Sequence, residues 1–235
     1  MTTSVAKKES FRMFDAIAGN YDFVNSVLSL GLHARWRTKI RQSLPAGSGL
    51  EVLDLATGTG DVAIEISRDR RVSHVEGLDL SVGMLEYGRR KVAAKGLVSR
   101  INLAEGDAQA IPYTDSSFDA VTISFGIRNV PDVLKCMRES LRVLKSGGRF
   151  IVLEFALPKS HIFRAIHLFY LRHVLPHLGR MLSGHDSAYR YLNETIEEFP
   201  HGSDFLALMR QAGYKETRFT ALTFGIVNLY IGEKK

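Results

Sequence analysis

Short apolar runs and longer amphipathic stretches alternate through the middle of this chain. Strand-length apolar runs fall at 50–55, 74–79, 101–105, 118–123 and 149–155, and helical periodicity fills 61–70, 82–94 and 132–144 between them. Parallel strands need a crossover, and a right-handed helical crossover covers the faces of the sheet, so this alternation predicts an open α/β sheet. Two further runs, 214–221 and 225–231, read as closing strands. Residues 4–45 read as mixed polar and apolar helix ending at the breaker cluster Pro45-Ala46-Gly47-Ser48-Gly49. Residues 160–200 interrupt the rhythm with a long apolar, histidine-rich helical insert, and Gly147-Gly148 is expected to cap the helix over Val143-Leu144. The predicted organisation is one domain over 1–235: a helical cap (1–48), a sheet core (49–156), a helical insert or lid (157–202), and a closing helix with two strands (203–235).

The first strand carries the chemistry. Glu51-Val52-Leu53-Asp54-Leu55 runs into Ala56-Thr57-Gly58-Thr59-Gly60, and a helix follows from Asp61. Strand, glycine turn and helix form the nucleotide-binding corner of an open α/β sheet, where Gly58 and Gly60 let a ligand lie against bare backbone. Gly58, Gly60 and Ala63 fit a loose dinucleotide fingerprint, and Asp79 falls near the position of its ribose-binding acid. That local pattern serves nicotinamide and S-adenosylmethionine enzymes alike. Asp54 tilts the choice, because a pyrophosphate gains nothing from an anion at the strand end. Asp107, ending the third strand, adds another acid. Acids at three successive strand ends suit a ligand with an amine, a ribose diol and an adenine amino group. Asp54 and Asp61 also admit structural readings, as a loop anchor and a helix-start charge. Asp79 and Asp107 likewise admit readings as a helix cap and a turn acid.

Bulk composition excludes several classes. The 235 residues are 45% hydrophobic and 24% charged, enough for one soluble domain with a full core. A single cysteine, Cys136, rules out an internal disulfide and fits a reducing compartment. Met1–Glu9 lacks the apolar stretch of a signal peptide, and no 18-residue uncharged apolar run exists. The expected location is therefore cytoplasmic, with peripheral contact at the inner face of a membrane. The net charge of +6 suits nucleic acid or anionic lipid, but its cations form no single run.

In the insert, His161, His167 and His173 invite a metal reading. Six-residue spacing rotates each by roughly 240° from the last, and Pro176 interrupts the His173–His177 pair, so no metal is expected. The helix is apolar around most of its circumference, which suits a lid over an apolar tail, a shallow membrane contact, or a face against a second copy of the chain.

Several segments together resemble the ubiquinone/menaquinone biosynthesis C-methyltransferase family. They include Phe14-Asp15-Ala16-Ile17-Ala18-Gly19-Asn20-Tyr21-Asp22, His33-Ala34-Arg35-Trp36-Arg37, the Asp54–Asp61 loop, Gly77-Leu78-Asp79-Leu80-Ser81, Ser124-Phe125-Gly126-Ile127-Arg128-Asn129-Val130, Leu153-Glu154-Phe155 and Tyr189-Arg190-Tyr191-Leu192. The resemblance covers nearly the whole chain. The glycine loop is shared by many methyltransferases, whereas the Ser-Phe-Gly-Ile-Arg-Asn segment and the N-terminal block are far more specific. It implies a class I S-adenosylmethionine-dependent methyltransferase: a Rossmann-like, seven-stranded sheet, mostly parallel, with an antiparallel last strand. Ser146 stands where the family usually has proline, Thr195 where it has serine, and Phe224 and Tyr230 where it has a glycine and a histidine. The last two fall where the quinone pocket is expected.

The resemblance also implies site roles. Gly58, Thr59 and Gly60 contact the methionine end of the methyl donor, Asp79 with neighbouring Leu80 holds the ribose, Asp107 and Ala108 frame the adenine, and Ser124 lines the floor near the methyl. Methyl transfer from a sulfonium demands alignment more than covalent help. A quinol ring becomes nucleophilic when a hydroxyl loses its proton, so Arg128 is assigned to the phenolate and Asn129 to the ring oxygen. Tyr21 reaches toward the acceptor on this reading, although Phe14, Ile17 and Tyr21 also have the spacing of plain helix packing. The implied acceptor is a polyprenylated quinol, demethylmenaquinol or its benzoquinol counterpart. Rival readings are a nucleic-acid methyltransferase, another small-molecule methyltransferase, a nicotinamide oxidoreductase and a non-catalytic adaptor. The first lacks an Asn/Asp-Pro-Pro-aromatic or Pro-Cys motif after the fourth strand, and an intact glycine loop opposes the last.

Overall fold

The computed structural model describes residues 26, 29, 31–174 and 186–235. Its elements run α1 (Leu32–Gln42), β1 (Leu50–Leu55), α2 (Asp61–Ser67), β2 (Val72–Asp79), α3 (Val82–Ala94), β3 (Ile101–Glu105) and β4 (Phe118–Ser124). A 3-10 turn (Ile127–Asn129), α4 (Val133–Val143), β5 (Leu144–Phe155) and α5 (His161–Phe169) follow, with a wide turn of π geometry over Tyr170–Val174. Then come α6 (Asp186–Glu198), α7 (Ser203–Ala212), β6 (Lys215–Leu222) and β7 (Val227–Glu233). The seven strands form one sheet in the order β3-β2-β1-β4-β5-β7-β6. The pairs from β3 through β5 are parallel, and β7 runs antiparallel to both of its neighbours.

The period-2 pattern of the strands sorts their side chains into two apolar layers. Leu53, Leu55, Val121, Ile123, Phe150 and Val152 face α4 and α7, where Met137, Phe205 and Met209 meet them. Val52, Ile151 and Leu153 face the other way, toward Trp36, Ile40, Ile66 and Leu85 of α1, α2 and α3. Ser81 caps α3 by accepting from the Met84 N–H (3.2 Å), and Asp132 caps α4 through the Lys135 N–H (2.9 Å). Cys136 lies fully buried in α4, and burial pushes its thiol up to about 12, so it is an inert core side chain.

The Gly147-Gly148 expectation is corrected. Helix α4 ends because Leu144 turns extended (φ −70°, ψ 139°) and pairs with Phe118 in the sheet. The glycines instead form an irregularity within β5, where Gly147 (φ 78°) donates its N–H to Lys234 O at 2.8 Å. The insert also differs from one continuous helix, since α5 ends at Phe169 and passes into the π turn. Ile162, Ile166 and Phe169 are largely exposed, while His167 and Leu171 are buried. Tyr21 and the rest of the N-terminal block lie outside the described residues.

Candidate active site

The glycine turn is held by three neighbours. Asp79, at the end of β2, accepts from the Gly58 N–H (2.7 Å) and the Ser81 N–H (2.8 Å), which fixes the turn over the sheet edge. Lys91 reaches from α3 to Thr59 Oγ1 (3.0 Å) and Asp61 (2.5 Å), and Arg37 of α1 also pairs with Asp61. These two cations hold the Asp61 carboxyl below its usual range against its own burial.

The two loop glycines do different work. A Cβ at Gly58 (φ 55°) would meet nothing within 4 Å, so this backbone is open to a ligand. At Gly60 (φ 76°) a Cβ would sit 3.2 Å from Leu103 Cδ1, so its role is conformation and packing, and the bare-backbone reading is corrected there. Gly88 of α3, which sequence reasoning passed over, lets that helix approach Thr59: an added Cβ would lie 3.1 Å from the Thr59 carbonyl carbon.

Asp54 does not present a carboxylate to a ligand. It is 1% exposed, and its oxygens accept from Thr57 Oγ1 (2.7 Å) and Thr122 Oγ1 (2.6 Å). Burial pushes its carboxyl up to about 7 against those two bonds, with the nearby Asp79 charge adding to the rise. The folded-state value stands above the unfolded one, so the unfolded chain gives up this proton first and stability falls as pH rises from about 4 to about 7. Asp54→Asn is therefore expected to gain on the native protein by roughly 4 kcal/mol across that window, at about 1.4 kcal/mol per pH unit. Denaturant midpoints at both ends of the window measure this, and parallel curves for the two proteins would refute it.

Asp107 forms its own turn, accepting from the Gln109 N–H at 2.8 Å, with Ala108 half-buried against the core beside it. Leu80, just past Asp79, is 41% exposed.

Arg128 is placed differently from a free cation. It is buried, and its Nη1 donates to Glu154 Oε1 (2.6 Å) and to the Phe125 carbonyl (2.6 Å). Its guanidinium lies 5.4 Å from the centre of the Phe155 ring. Phe155 stands 4.5 Å from Phe125, and Trp36 of α1 packs beside both at 6.4 and 6.0 Å, donating its indole N–H to Thr223 Oγ1 (2.8 Å). Sequence reasoning quoted Trp36, Glu154 and Phe155 without giving them site roles. The only tryptophan and an acid amid apolar strand residues were the available signals. Ser124 and Asn129 each keep a buried oxygen without a partner among the described residues.

The turn after β4 is tight. Phe125 takes φ 56° and Ala56, at the end of β1, φ 50°. Gly126 lies so close to Ala56 that an added Cβ would stand 2.5 Å from the alanine Cβ. The two family departures are absorbed locally. Phe224 keeps the left-handed backbone a glycine would take (φ 57°) and stacks on Phe163 at 4.5 Å. Tyr230 fills the interior and its hydroxyl accepts from the Gly202 N–H at 2.8 Å.

Among the described residues no group of acids, histidines or cysteines gathers to hold a metal, and no helix is long and apolar enough to cross a membrane. The fold matches a solved S-adenosylmethionine-dependent methyltransferase from Thermotoga maritima at 19% identity and a TM-score of 0.68, covering 96% of this chain and 99% of that one. The chain is 46% identical to the ubiquinone/menaquinone biosynthesis C-methyltransferase UbiE of Geobacter sulfurreducens, covering 94% of this chain and 87% of the relative. It is 44% identical to the demethylmenaquinone methyltransferase of Deinococcus radiodurans, covering 95% and 91%. A family model matches residues 2–234, and the chain belongs to the ubiE/COQ5 methyltransferase family of S-adenosylmethionine-dependent enzymes.

Proposed function

We propose that this enzyme methylates a ring carbon of a polyprenylated quinol, demethylmenaquinol or the corresponding benzoquinol. The observation that carries the reading is the aromatic and polar wall at the strand ends. Phe125 and Phe155, half-buried with Trp36 packed behind them, offer flat apolar surface to a ring, and Arg128, Asn129 and Ser124 offer polar atoms to its hydroxyls. The names of the relatives point to the same acceptors.

S-adenosylmethionine supplies a methyl group made electrophilic by its sulfonium. Gly58 and Thr59 hold its methionine end, with Gly60 shaping the turn, Asp79 and Leu80 hold its ribose, and Asp107 and Ala108 its adenine, while Ser124 lies on the methyl side. Arg128 stabilises negative charge on the ring oxygen and Asn129 orients it; Tyr21, which lies outside the described residues, keeps its assignment toward the acceptor from the sequence alone. Aligning the ring against the methyl is the larger part of the catalytic task. No metal is needed, because a sulfonium carries its own leaving group.

The test incubates the protein with methyl-labelled donor and each reduced quinol, then follows label into lipid extracts. Label in one quinol or both supports the reading, and a protein that binds the donor yet labels neither opposes it.

Exposed Ile162, Ile166 and Phe169 on α5, with Phe163 stacked on Phe224, form an apolar face suited to a bilayer surface where long-tailed quinols reside. Ile166→Ser/Phe169→Ser is expected to lower turnover on vesicle-borne quinol about tenfold or more, at roughly 0.8 kcal/mol per buried CH2 lost. Turnover on a short-tailed soluble analogue should stay near native, and equal losses on both would count against the membrane contact.

A further inference from the structure

The strand ends hold unmet polar capacity. Ser124 Oγ, Arg128 Nε, Asn129 Oδ1 and Glu154 Oε2 are sealed from solvent without a hydrogen-bond partner among the described residues. Orphaned buried groups are costly to keep, so a cluster of them is organised for a partner the described residues do not supply. They are close together in the fold. Ser124 closes β4 opposite Leu153, the residue before Glu154, and Arg128 bonds Glu154 directly. One fixed donor, two acceptors and a hydroxyl suit a ligand bearing hydroxyl groups. The Arg128 and Glu154 charges cancel, which gives no advantage to an ion.

Glu154 is anchored at one oxygen only. Oε1 accepts from Arg128 Nη1 (2.6 Å) and from the Phe155 N–H (2.8 Å), while Oε2 has no partner among the described residues. The carboxyl is 1% exposed, and burial raises it above the usual carboxylate range while Arg128 opposes the rise. Among the described residues Tyr230 of β7 also lies within electrostatic reach of Glu154. A carboxylate with one oxygen fixed, one oxygen unsatisfied and its basicity raised has the attributes of a general base.

We propose that Glu154 is the proton acceptor of the reaction, a role that rests on the quinol reading above. Oε2 takes the proton of the ring hydroxyl as that O–H bond breaks. The electron pair left on oxygen delocalises onto the ring carbon, which forms the new bond to the methyl group as the methyl–sulfur bond breaks toward sulfur. Loss of the proton on that carbon and return of one to the oxygen restore the aromatic quinol, so one proton leaves to water overall. Arg128, already bonded to Glu154, faces the oxygen while it is charged. Helix α6 packs on the 3-10 turn, and Phe155 packs against Leu157, Leu171 and Ile196, so these described residues border the Glu154 side of the site.

The rival base is His167, buried on α5 with Nε2 unpartnered and held by burial below its ordinary pKa. Native enzyme, Glu154→Gln, Glu154→Asp and His167→Asn should be compared on quinols of graded hydroxyl acidity. Glu154→Gln keeps an oxygen for Arg128 and is expected to lose at least about 100-fold in kcat, the low end for a general base. Donor affinity by calorimetry should hold, the acidic limb of the pH profile of kcat/KM should vanish, and more acidic quinols should recover part of the rate. Near-native kcat, an intact acidic limb, or loss confined to His167→Asn would overturn the assignment. Should Glu154→Gln fail to fold, Glu154→Asp decides: a displaced limb supports the proposal and an unmoved one overturns it. Native enzyme inactive on every quinol would overturn the acceptor reading and this role with it, whereas active native enzyme with an equally active Glu154→Gln removes Glu154 alone.

Discussion

Arg128→Ala is expected to cost about 3–5 kcal/mol of stability, because it leaves the buried Glu154 carboxylate without its counter-charge. For a chain of this size that is a fall in Tm of roughly 6–20 °C, at about 2–4 °C per kcal/mol. The loss should shrink as pH falls. Without Arg128 the carboxyl rises further, so protonating it removes the unpaired charge in the folded state. Turnover, measured below the variant's own melting range, should be lost while the donor still binds, since the contacts proposed for the donor are at Gly58 and Asp79. Arg128→Lys should recover part of the stability but not the rate, because an ammonium cannot reproduce the guanidinium's bonds to Glu154 and the Phe125 carbonyl together. Thermal unfolding and labelled-methyl turnover measure the two quantities. An Arg128→Ala protein with native Tm and native rate would refute both.

The second large effect falls on donor binding. Asp79→Ala should weaken S-adenosylmethionine binding by about 100-fold, or roughly 3 kcal/mol, if the two charge-assisted bonds proposed to the ribose hydroxyls disappear. The same substitution releases the Gly58 and Ser81 N–H groups, so the glycine turn should also loosen. Hydrogen exchange at those two amides separates the effects. Faster exchange with undiminished affinity would leave Asp79 a purely structural clamp. Asp79→Asn, which keeps one carbonyl oxygen, should fall between the two. Calorimetric titration gives the affinities.

The strands and helices of the core were legible because each depends on local periodicity. The expected 50–55 run is β1 as observed, and the 82–94 pattern is α3 with the Ser81 cap. What misled was side-chain direction. An acid ending a strand reads the same whether it faces a ligand or is tied down, and Asp54 is tied down partly by Thr122, 68 residues away. Arg128 read as a free cation because its partner Glu154 lies 26 residues later on another strand. Trp36 joins the site by bonding Thr223, 187 residues distant, a contact no local pattern carries. Gly147-Gly148 misled for a related reason. A glycine pair after a helix reads as a cap, and only pairing with residues near the C-terminal end shows it to be part of a strand.

The placement of β7 between β5 and β6 bears on how the chain is made. Strand β5 lies inside the finished sheet, but its partner on one side is not synthesised until Val227–Glu233. At about 5–20 residues per second, the roughly 78 residues between Phe155 and Glu233 take on the order of 4–16 s to emerge. Through that interval the Arg149–Phe155 segment, largely apolar, presents an unpaired edge on a growing polypeptide, the kind of edge that pairs with other chains. A message interrupted before residue 227 would leave that edge permanently open, so shortened products should partition into aggregates and be handled by chaperones and proteases rather than accumulate as weakly active enzyme.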